Sequence, residues 1–363
     1  MEKSMYFELV EKYFPGLVLQ IVEKINDSNN ALSYLYRDLL TKQYSADARW
    51  ASVLANYTRV AADVVSLDSE LPLKARDTVE SASGEIPKIG MKLYLTEKQM
   101  KDIDSMISLN LPIGTIINTL FADLPRVITG VYERIEDLFL SEFSTGVGLA
   151  TRNNGTGIRV NVGYKPENHF ECLAGVWASA PETATPIDDI QQIFDKALAD
   201  GNTITDVYAD DHALRAMYKS KQVRESYAFA VGFVGTNVPT LNLEQLSTVF
   251  MTTWGVTLHR VARKVRTELN GAQEAHSPWA QGRLVFVCDA TVGSLVWTNC
   301  AEAAPQRRVN GVVYQIVDDF ILASRYSKND PLREITSSQA MVVPIVNNVD
   351  RIYTFDSTTL HAG

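Results

Sequence analysis

The longest periodic apolar pattern in the chain lies at residues 123–143. Its apolar positions recur three and four residues apart, as on one face of an α-helix: they are Val127, Ile128, Val131, Ile135, Leu138 and Phe139. Asp123 is a candidate N-cap, and Ser144-Thr145-Gly146 ends the pattern. The charged residues between the apolar positions are expected on the solvent side: Arg126, Glu133, Arg134, Glu136 and Asp137. We therefore predict a helix of about 30 Å.

Strand-like patterns follow this helix. Residues 147–164 predict a hairpin, in which 147–151 pairs with 158–162 across a glycine-containing turn. From about residue 181, helical and alternating patterns succeed one another: helices at 186–200, 211–219 and 241–251, and strands at 205–209, 255–266 and 283–288. The remainder of the chain alternates short strands with turns. We predict a central α/β sheet domain flanked by an elongated part that contains the long helix and the C-terminal strands.

The N-terminal third predicts elongated features. Residues 1–45 are typical of an arm, with an amphipathic helix interrupted at Pro15-Gly16, because proline removes a helical hydrogen bond. Residues 66–92 have a polar middle between apolar ends, which predicts a long two-stranded excursion from the body. After this excursion, Thr96-Glu97-Lys98-Gln99 predicts a capping box at the start of a further helix.

Composition and charge narrow the class of protein. With 46% hydrophobic and 21% charged residues, the 363-residue chain is that of a globular protein long enough for two domains. Charged residues interrupt the apolar start, so neither a signal peptide nor a membrane helix is expected. The net charge of −9 argues against a protein whose main task is to grip nucleic acid through phosphates. A negative wall could nevertheless enclose DNA.

Few residues suggest catalysis or metal binding. Asp206, Asp210 and Asp211 with His212 form the best metal candidate, but acids that satisfy the free amides and the dipole at a helix N-terminus explain this pattern better. Asp318-Asp319 fits a turn between two strands better than a metal site. The motifs HExxH, GxSxG and GxxxxGK[ST] are missing from the sequence. We expect no enzyme and no cofactor, with a metal-dependent enzyme on residues 181–290 as a remote alternative.

The cysteines and the basic run have simple interpretations. Cys172, Cys288 and Cys300 form no CxxC pair and lie among apolar or small neighbours, so we expect buried, reduced thiols. The one basic run is at residues 259–266. In a strand, Arg260, Lys264 and Arg266 would share one face, which favours a subunit contact or a solvated surface over nucleic-acid binding.

The order of these features resembles the major capsid proteins of tailed bacteriophages, in particular the lambda-type E family. The resemblance spans about 45–357 and lies in four segments: VVSLDSELPLKARDTVESASGEIPKIGMKLYLTEKQM, DLPRVITGVYERIEDLFLSEFSTG, PIDDIQQIFDKALADGNTITDVYADDHALRAMYKS and DPLREITSSQAMVVPIVNNVDRIYTF. They are similar to the family's extended loop, spine helix, axial helix–strand–helix and closing strands. Pattern and order carry this resemblance, and no invariant motif does.

The resemblance implies an α+β fold shared with encapsulins and herpesvirus capsid floors. Its parts would be an N-terminal arm (1–45), a peripheral domain (46–65 and 93–180) with the spine helix at about 123–143 and the hairpin at 147–164, an extended loop (66–92), an axial α/β domain (181–300) and C-terminal strands (301–363) that return to the peripheral domain. The loop's polar middle offers little apolar surface, so we expect a neighbouring subunit to order it.

The resemblance also implies a function and partners. Copies would form pentamers and hexamers of an icosahedral shell that encloses double-stranded DNA without sequence-specific binding. Scaffolding, portal and cement proteins are the further expected partners. The shell is expected to assemble in the host cytoplasm and to become part of the virion. No scaffolding region precedes the arm, so the scaffold is expected to be a separate protein or to have been cleaved off. An encapsulin-type compartment is the alternative, which neighbouring portal and terminase genes would exclude.

Subunit contacts are expected at charged residues of the loop and of the basic run. Some relatives crosslink a loop lysine to a neighbour's asparagine, but nothing in the sequence selects Lys74, Lys88 or Lys92 for this role. The contact candidates are Lys74, Arg76, Glu80, Lys88, Arg260, Lys264 and Arg266.

Overall fold

The computed structural model describes residues 2–27, 33–54, 80–150, 158–232, 241–269 and 271–361. Its α-helices are α1 (Phe7–Asn26), α2 (Leu35–Leu39), α3 (Glu97–Ser108), α4 (Ile113–Leu120), α5 (Leu124–Thr145), α6 (Pro186–Ala199), α7 (Asp211–Lys219), α8 (Lys221–Ala230) and α9 (Leu243–Trp254). Its β-strands are β1 (Leu40–Tyr44), β2 (Arg49–Leu54), β3 (Glu80–Glu85), β4 (Lys88–Leu95), β5 (Val147–Ala150), β6 (Ile158–Asn161), β7 (His169–Cys172), β8 (Asp206–Asp210), β9 (Thr257–Val261), β10 (Val265–Leu269), β11 (Ala272–His276), β12 (Arg283–Val287), β13 (Gly293–Thr298), β14 (Val313–Val317), β15 (Ile321–Lys328), β16 (Arg333–Val346) and β17 (Ile352–Leu360). This mixture confirms the α+β class.

The chain forms two compact units, and each unit collects three segments of sequence. The first unit contains Met1–Trp50, Gly84–Asp137 and Leu295–Pro344. The second contains Ala51–Ser83, Leu138–Ser294 and Ile345–Gly363. The chain therefore passes between the two units more often than the predicted domain boundaries imply.

The first unit is built on a six-stranded sheet with strand order β1-β13-β16-β15-β14, in which β4 also pairs with β16. In β15 every residue from Ile321 to Ser327 is buried, as in a strand that is covered on both faces. Helix α1 packs against β14. The expected N-terminal arm thus contributes a helix to the core of this unit.

Helix α1 is continuous, so the predicted interruption at Pro15-Gly16 is wrong. Proline in a helix interior costs roughly 3 kcal/mol. Full burial of one large aliphatic or aromatic side chain contributes about 1.5–3 kcal/mol, so a continuous buried face outweighs the cost of the proline. The buried residues that run past Pro15 on both sides are Val10, Phe14, Val18 and Val22.

Strand β4 takes up the last part of the segment that was expected to form a loop. It pairs antiparallel with β16 from Lys88 opposite Met341 to Leu95 opposite Glu334. Residues 88–92 therefore lie in the sheet. Strands β2 and β3 form a separate two-stranded sheet, and residues 55–79 between them lie outside the described part of the chain.

Two local predictions in this unit are confirmed. Thr96 and Gln99 form the capping box at the start of α3. Asp318 and Asp319 form the turn between β14 and β15, with φ angles of 51° and 72°. Two successive positive φ angles are typical of a type I′ hairpin turn, which aspartate tolerates. Lys42 Nζ lies 2.6 Å from an Asp318 carboxylate oxygen and 3.0 Å from one of Asp319.

Helix α5 is the predicted long helix, extended to 22 residues, or about 33 Å. Its six predicted apolar positions are all buried, including Ile135 and Leu138. Glu136 and Asp137 were predicted on the solvent side, and this is wrong because both are buried. The carboxylate of Glu136 accepts hydrogen bonds from the backbone N–H groups of Leu35 and Tyr36, which replace water.

The second unit is built on a five-stranded sheet with strand order β7-β17-β12-β8-β9. Strands β8 and β9 pair in parallel, as do β7 and β17, while β12 pairs antiparallel with β8 and β17. The C-terminal strand β17 therefore lies in this sheet, whereas the C-terminal strands were all expected to return to the other domain. Helices α6, α7 and α9 contribute to a core with residues of this sheet such as Val207, Phe286 and Phe355.

The predicted hairpin at 147–164 is confirmed in its described residues, because β5 pairs antiparallel with β6 from Val147 opposite Asn161. The predicted strand at 255–266 is wrong as a single strand. It consists of β9 and β10, and β10 pairs with β11 in a separate two-stranded sheet. Strand β9 is held by β8, whereas β10 turns away to β11.

Candidate functional site

The three basic residues of the predicted strand lie in three different settings. Arg260 is in β9, where its Nε and Nη2 donate to the carboxylate of Asp211 at 2.5 and 2.9 Å. This hydrogen bond lowers the pKa of Asp211. Lys264 lies between the strands and Arg266 in β10, and both are exposed. The three residues therefore do not lie in one strand.

The β10–β11 hairpin presents an exposed polar surface. In β11 the residues from Ala272 to Ala275 are exposed, and in β10 the side chains of Arg266 and Glu268 are exposed. Gln273 donates to Glu268 at 2.8 Å across the two strands. An isolated two-stranded hairpin is only marginally stable in water. The pairing of β10 with β11 therefore contributes little stability by itself.

The loop candidates are only partly within the described residues. Lys74 and Arg76 lie outside them, and Glu80 is the first residue of β3. Lys88 begins β4, where its Nζ lies 3.8 Å from Glu302 Oε2. About half of the Lys88 side chain is exposed, so this ion pair contributes little to stability.

The acidic cluster near His212 does not converge on one point. Asp206 Oδ1 accepts a hydrogen bond from His259 Nε2 at 2.7 Å, and Asp211 pairs with Arg260. Asp210 caps α7 by accepting from the Ala213 N–H, and its other oxygen accepts from the Gly282 N–H. Among the described residues, no group of three or more histidine, cysteine or carboxylate side chains is placed to hold a metal ion.

A shallow cleft of about 220 Å³ lies beside this cluster in the second unit. Ligand pockets typically enclose about 300–1,000 Å³, so this cleft is small for a substrate. Its walls are formed by Asp211, Leu214, Arg215, Tyr218, Leu243 and Arg260. Two of these side chains, Asp211 and Arg260, already bind one another.

The cysteines confirm their sequence interpretation. Cys172, Cys288 and Cys300 are buried and free. Burial raises the pKa of Cys172 and of Cys288 to about 12 and also raises the pKa of Cys300. Thiols of this kind react slowly, because the thiolate is the nucleophile.

Sequence reasoning missed a buried ion pair that anchors the N-terminus. Arg325 and Glu334 are completely buried in the first unit, with Nε and Oε1 3.1 Å apart. The same carboxylate accepts from Ser4 Oγ at 2.5 Å and from the Met5 N–H at 3.3 Å. A charge in a strand pattern ordinarily indicates the solvent side, so the sequence holds no signal for this pair.

The chain is similar to a viral protein family. A family model described as phage major capsid protein E matches residues 20–352, which is most of the 363-residue chain. The chain belongs to the phage major capsid protein E family. It is therefore a structural protein of the virion, and members of this family associate with copies of themselves. No curated protein sequence matches the chain significantly.

Solved structures that are similar to this chain include three from phages or virus-like particles. A prophage protein of Escherichia coli CFT073, assigned as a capsid protein, is 13% identical with a TM-score of 0.56, over 93% of this chain and 97% of that one. The mature capsid of bacteriophage PhiM1 is 10% identical with a TM-score of 0.43, over 93% of this chain and 90% of that one. A virus-like particle from Pyrococcus furiosus is 8% identical with a TM-score of 0.42, over 95% of this chain and 100% of that one. The first of these likenesses shows a shared fold.

None of the described helices combines the length and the hydropathy that a bilayer-crossing helix requires.

Proposed function

We propose that this chain forms pentamers and hexamers, and that these close into an icosahedral shell around double-stranded DNA. The observation that carries the proposal is the match of the capsid family model over residues 20–352. The surface features are compatible with it, because both strands of the β10–β11 hairpin have exposed charged side chains, among them Arg266, Glu268 and Glu274. The shell role requires no catalysis, and we propose none.

The proposed partners follow from the same role. A scaffolding protein, a portal and a cement protein would associate with the shell during assembly in the host cytoplasm. DNA would be enclosed without sequence-specific contacts. The net charge of −9 supports weak contact with DNA, because a surface with surplus acids binds few phosphates.

Among the contact candidates, Lys264 and Arg266 fit the role best, because both are exposed. Arg260 and Lys88 already face carboxylates of their own chain. Lys74, Arg76 and Glu80 stay predictions of the sequence. We propose that Lys264 and Arg266 contact a neighbouring subunit.

The test is particle formation by the chain expressed with the other head genes of its genome. Electron microscopy should show closed shells for the wild type. A Lys264→Ala/Arg266→Ala double variant should lower particle yield by about tenfold, as a loss of about 1.4 kcal/mol in contact free energy would. DNA retained per finished particle should not change.

Arg260→Ala is the matched control, since its guanidinium is occupied within the chain. It should affect particle yield less than the double variant. Normal yield from the double variant would reject these two contacts. Wild-type protein that forms no closed particle would reject the shell itself.

A further inference from the structure

The turn between α3 and α4 exposes a cluster of large apolar side chains. Leu109 is 73% exposed, and Ile113 is 48% exposed. Ile107 and Leu111 are also more than a third exposed. We call these four residues the apolar turn. Soluble monomers rarely expose several large apolar side chains together, and such clusters mark contact surfaces.

The backbone of the apolar turn is ordered by its own hydrogen bonds. The Leu111 N–H donates to the Met106 carbonyl at 3.1 Å, and the Asn110 N–H donates to the Ile107 carbonyl at 3.0 Å. Asn110 has a φ of 51°, so the end of α3 is a Schellman motif with asparagine in the left-handed position. Pro112 then caps α4.

This order has a consequence for binding. A preorganised turn loses little conformational entropy when a partner covers it, so its apolar side chains contribute more of their burial energy to association. The exposed side chains are therefore presented as a fixed surface. Helices α3 and α4 bury other apolar residues, including Met100, Ile103 and Ile116. The packing of these helices therefore does not account for the exposed apolar side chains of the turn.

Charge narrows the kind of partner. The sequence from Ser105 to Ala122 contains no charged residue. A surface without cations does not attract nucleic-acid phosphates, and an uncharged partner surface avoids the cost of burying an unpaired charge. Because the chain belongs to a self-associating capsid family, these observations point to a second copy of this chain as the partner.

We propose that the apolar turn is a contact surface between copies of this chain in the shell. This proposal rests on the proposed function and names one of the surfaces that the shell uses. Stable interfaces bury about 800 Å² per partner, more than four side chains provide. The turn is therefore one part of a larger contact, so free subunits leave it exposed and only assembly covers it.

The three natural cysteines make a direct test available. They are buried and have raised pKa values, so a maleimide should react selectively with a single exposed thiol introduced by Leu109→Cys. Labelling should be fast in free subunits and about tenfold or more slower in particles, because exposure controls thiol reactivity. Denatured particles should label completely. If Leu109→Cys does not fold, Ile113→Cys replaces it in the same experiment.

A second variant tests whether the contact matters for assembly. Leu109→Glu places a charge on the apolar turn and should lower particle yield about tenfold while leaving the melting temperature of free subunits unchanged. Lys101→Glu, at an exposed position of α3, is the control and should assemble normally.

The outcomes separate this inference from the proposed function. Equal labelling of Leu109→Cys in subunits and particles overturns the inference even when shells form. Protection that appears only in particles carrying another head protein also overturns it, because that protein would then be the partner. Absence of wild-type particles overturns the proposed function, and the inference falls with it.

Discussion

Glu142 of α5 carries a completely buried carboxyl group in the second unit. Its Oε1 accepts from the Val346 N–H at 2.6 Å, and its Oε2 has no hydrogen-bond partner among the described residues. Burial and the charge of Glu142 raise the pKa of the neighbouring Tyr164. The Tyr164 hydroxyl donates a hydrogen bond to the Phe143 carbonyl. Burial raises the pKa of Glu142 well above its ordinary value of 4.5.

This carboxyl predicts a pH-dependent stability. The folded protein holds the Glu142 proton more tightly than the unfolded chain does, so its contribution is complete below pH 4.5 and is lost as pH rises toward the folded pKa. Glu142→Gln removes that titration. We expect the stability of the variant relative to the wild type to increase as pH rises above 4.5, measured by urea unfolding at several pH values.

Glu136→Gln is the control on the same helix. Both oxygens of Glu136 accept backbone N–H groups, so an amide would set a donor against a donor. This variant should lose stability where Glu142→Gln gains it. An unchanged pH profile for Glu142→Gln would mean that the carboxyl is ionised in the folded protein.

At the scale of elements, α5 depends on the side chains of its apolar face. Ile135 is completely buried in the first unit. Ile135→Ala should lower the free energy of unfolding by about 2–5 kcal/mol, because it removes buried methylene groups and leaves a cavity. Ile107→Ala, at an exposed helical position, should change it by only about 0.5 kcal/mol or less. Equal small effects in denaturant unfolding would show that the α5 face is misassigned.

At the scale of the whole molecule, charge governs the relation to DNA. The chain carries 43 acidic and 34 basic residues, and Arg260 of its one basic run is held by Asp211. We expect free subunits to bind duplex DNA weakly at physiological salt and without sequence preference. A gel shift with unrelated duplexes measures both properties. Tight binding to one defined sequence would contradict this expectation.

Features set by neighbouring residues could be predicted from the sequence. The capping box of Thr96, the turn at Asp318-Asp319 and the face of α5 each depend on residues a few positions apart. Their hydrogen bonds and periodicity are local, so the pattern alone determines them. The family resemblance rested on the order of such elements, and the match of the family model confirms it.

Features set by distant residues were decided only by the tertiary structure. Helix α1 continues through Pro15 because a buried face holds it, and Glu136 is buried because Leu35 and Tyr36 supply its donors. Residues 255–266 divide because β8 and β11 are separate partners. The apolar turn is recognisable as a surface only once burial is known. The reason is that burial and pairing depend on which distant segments meet, and no local pattern encodes that partner.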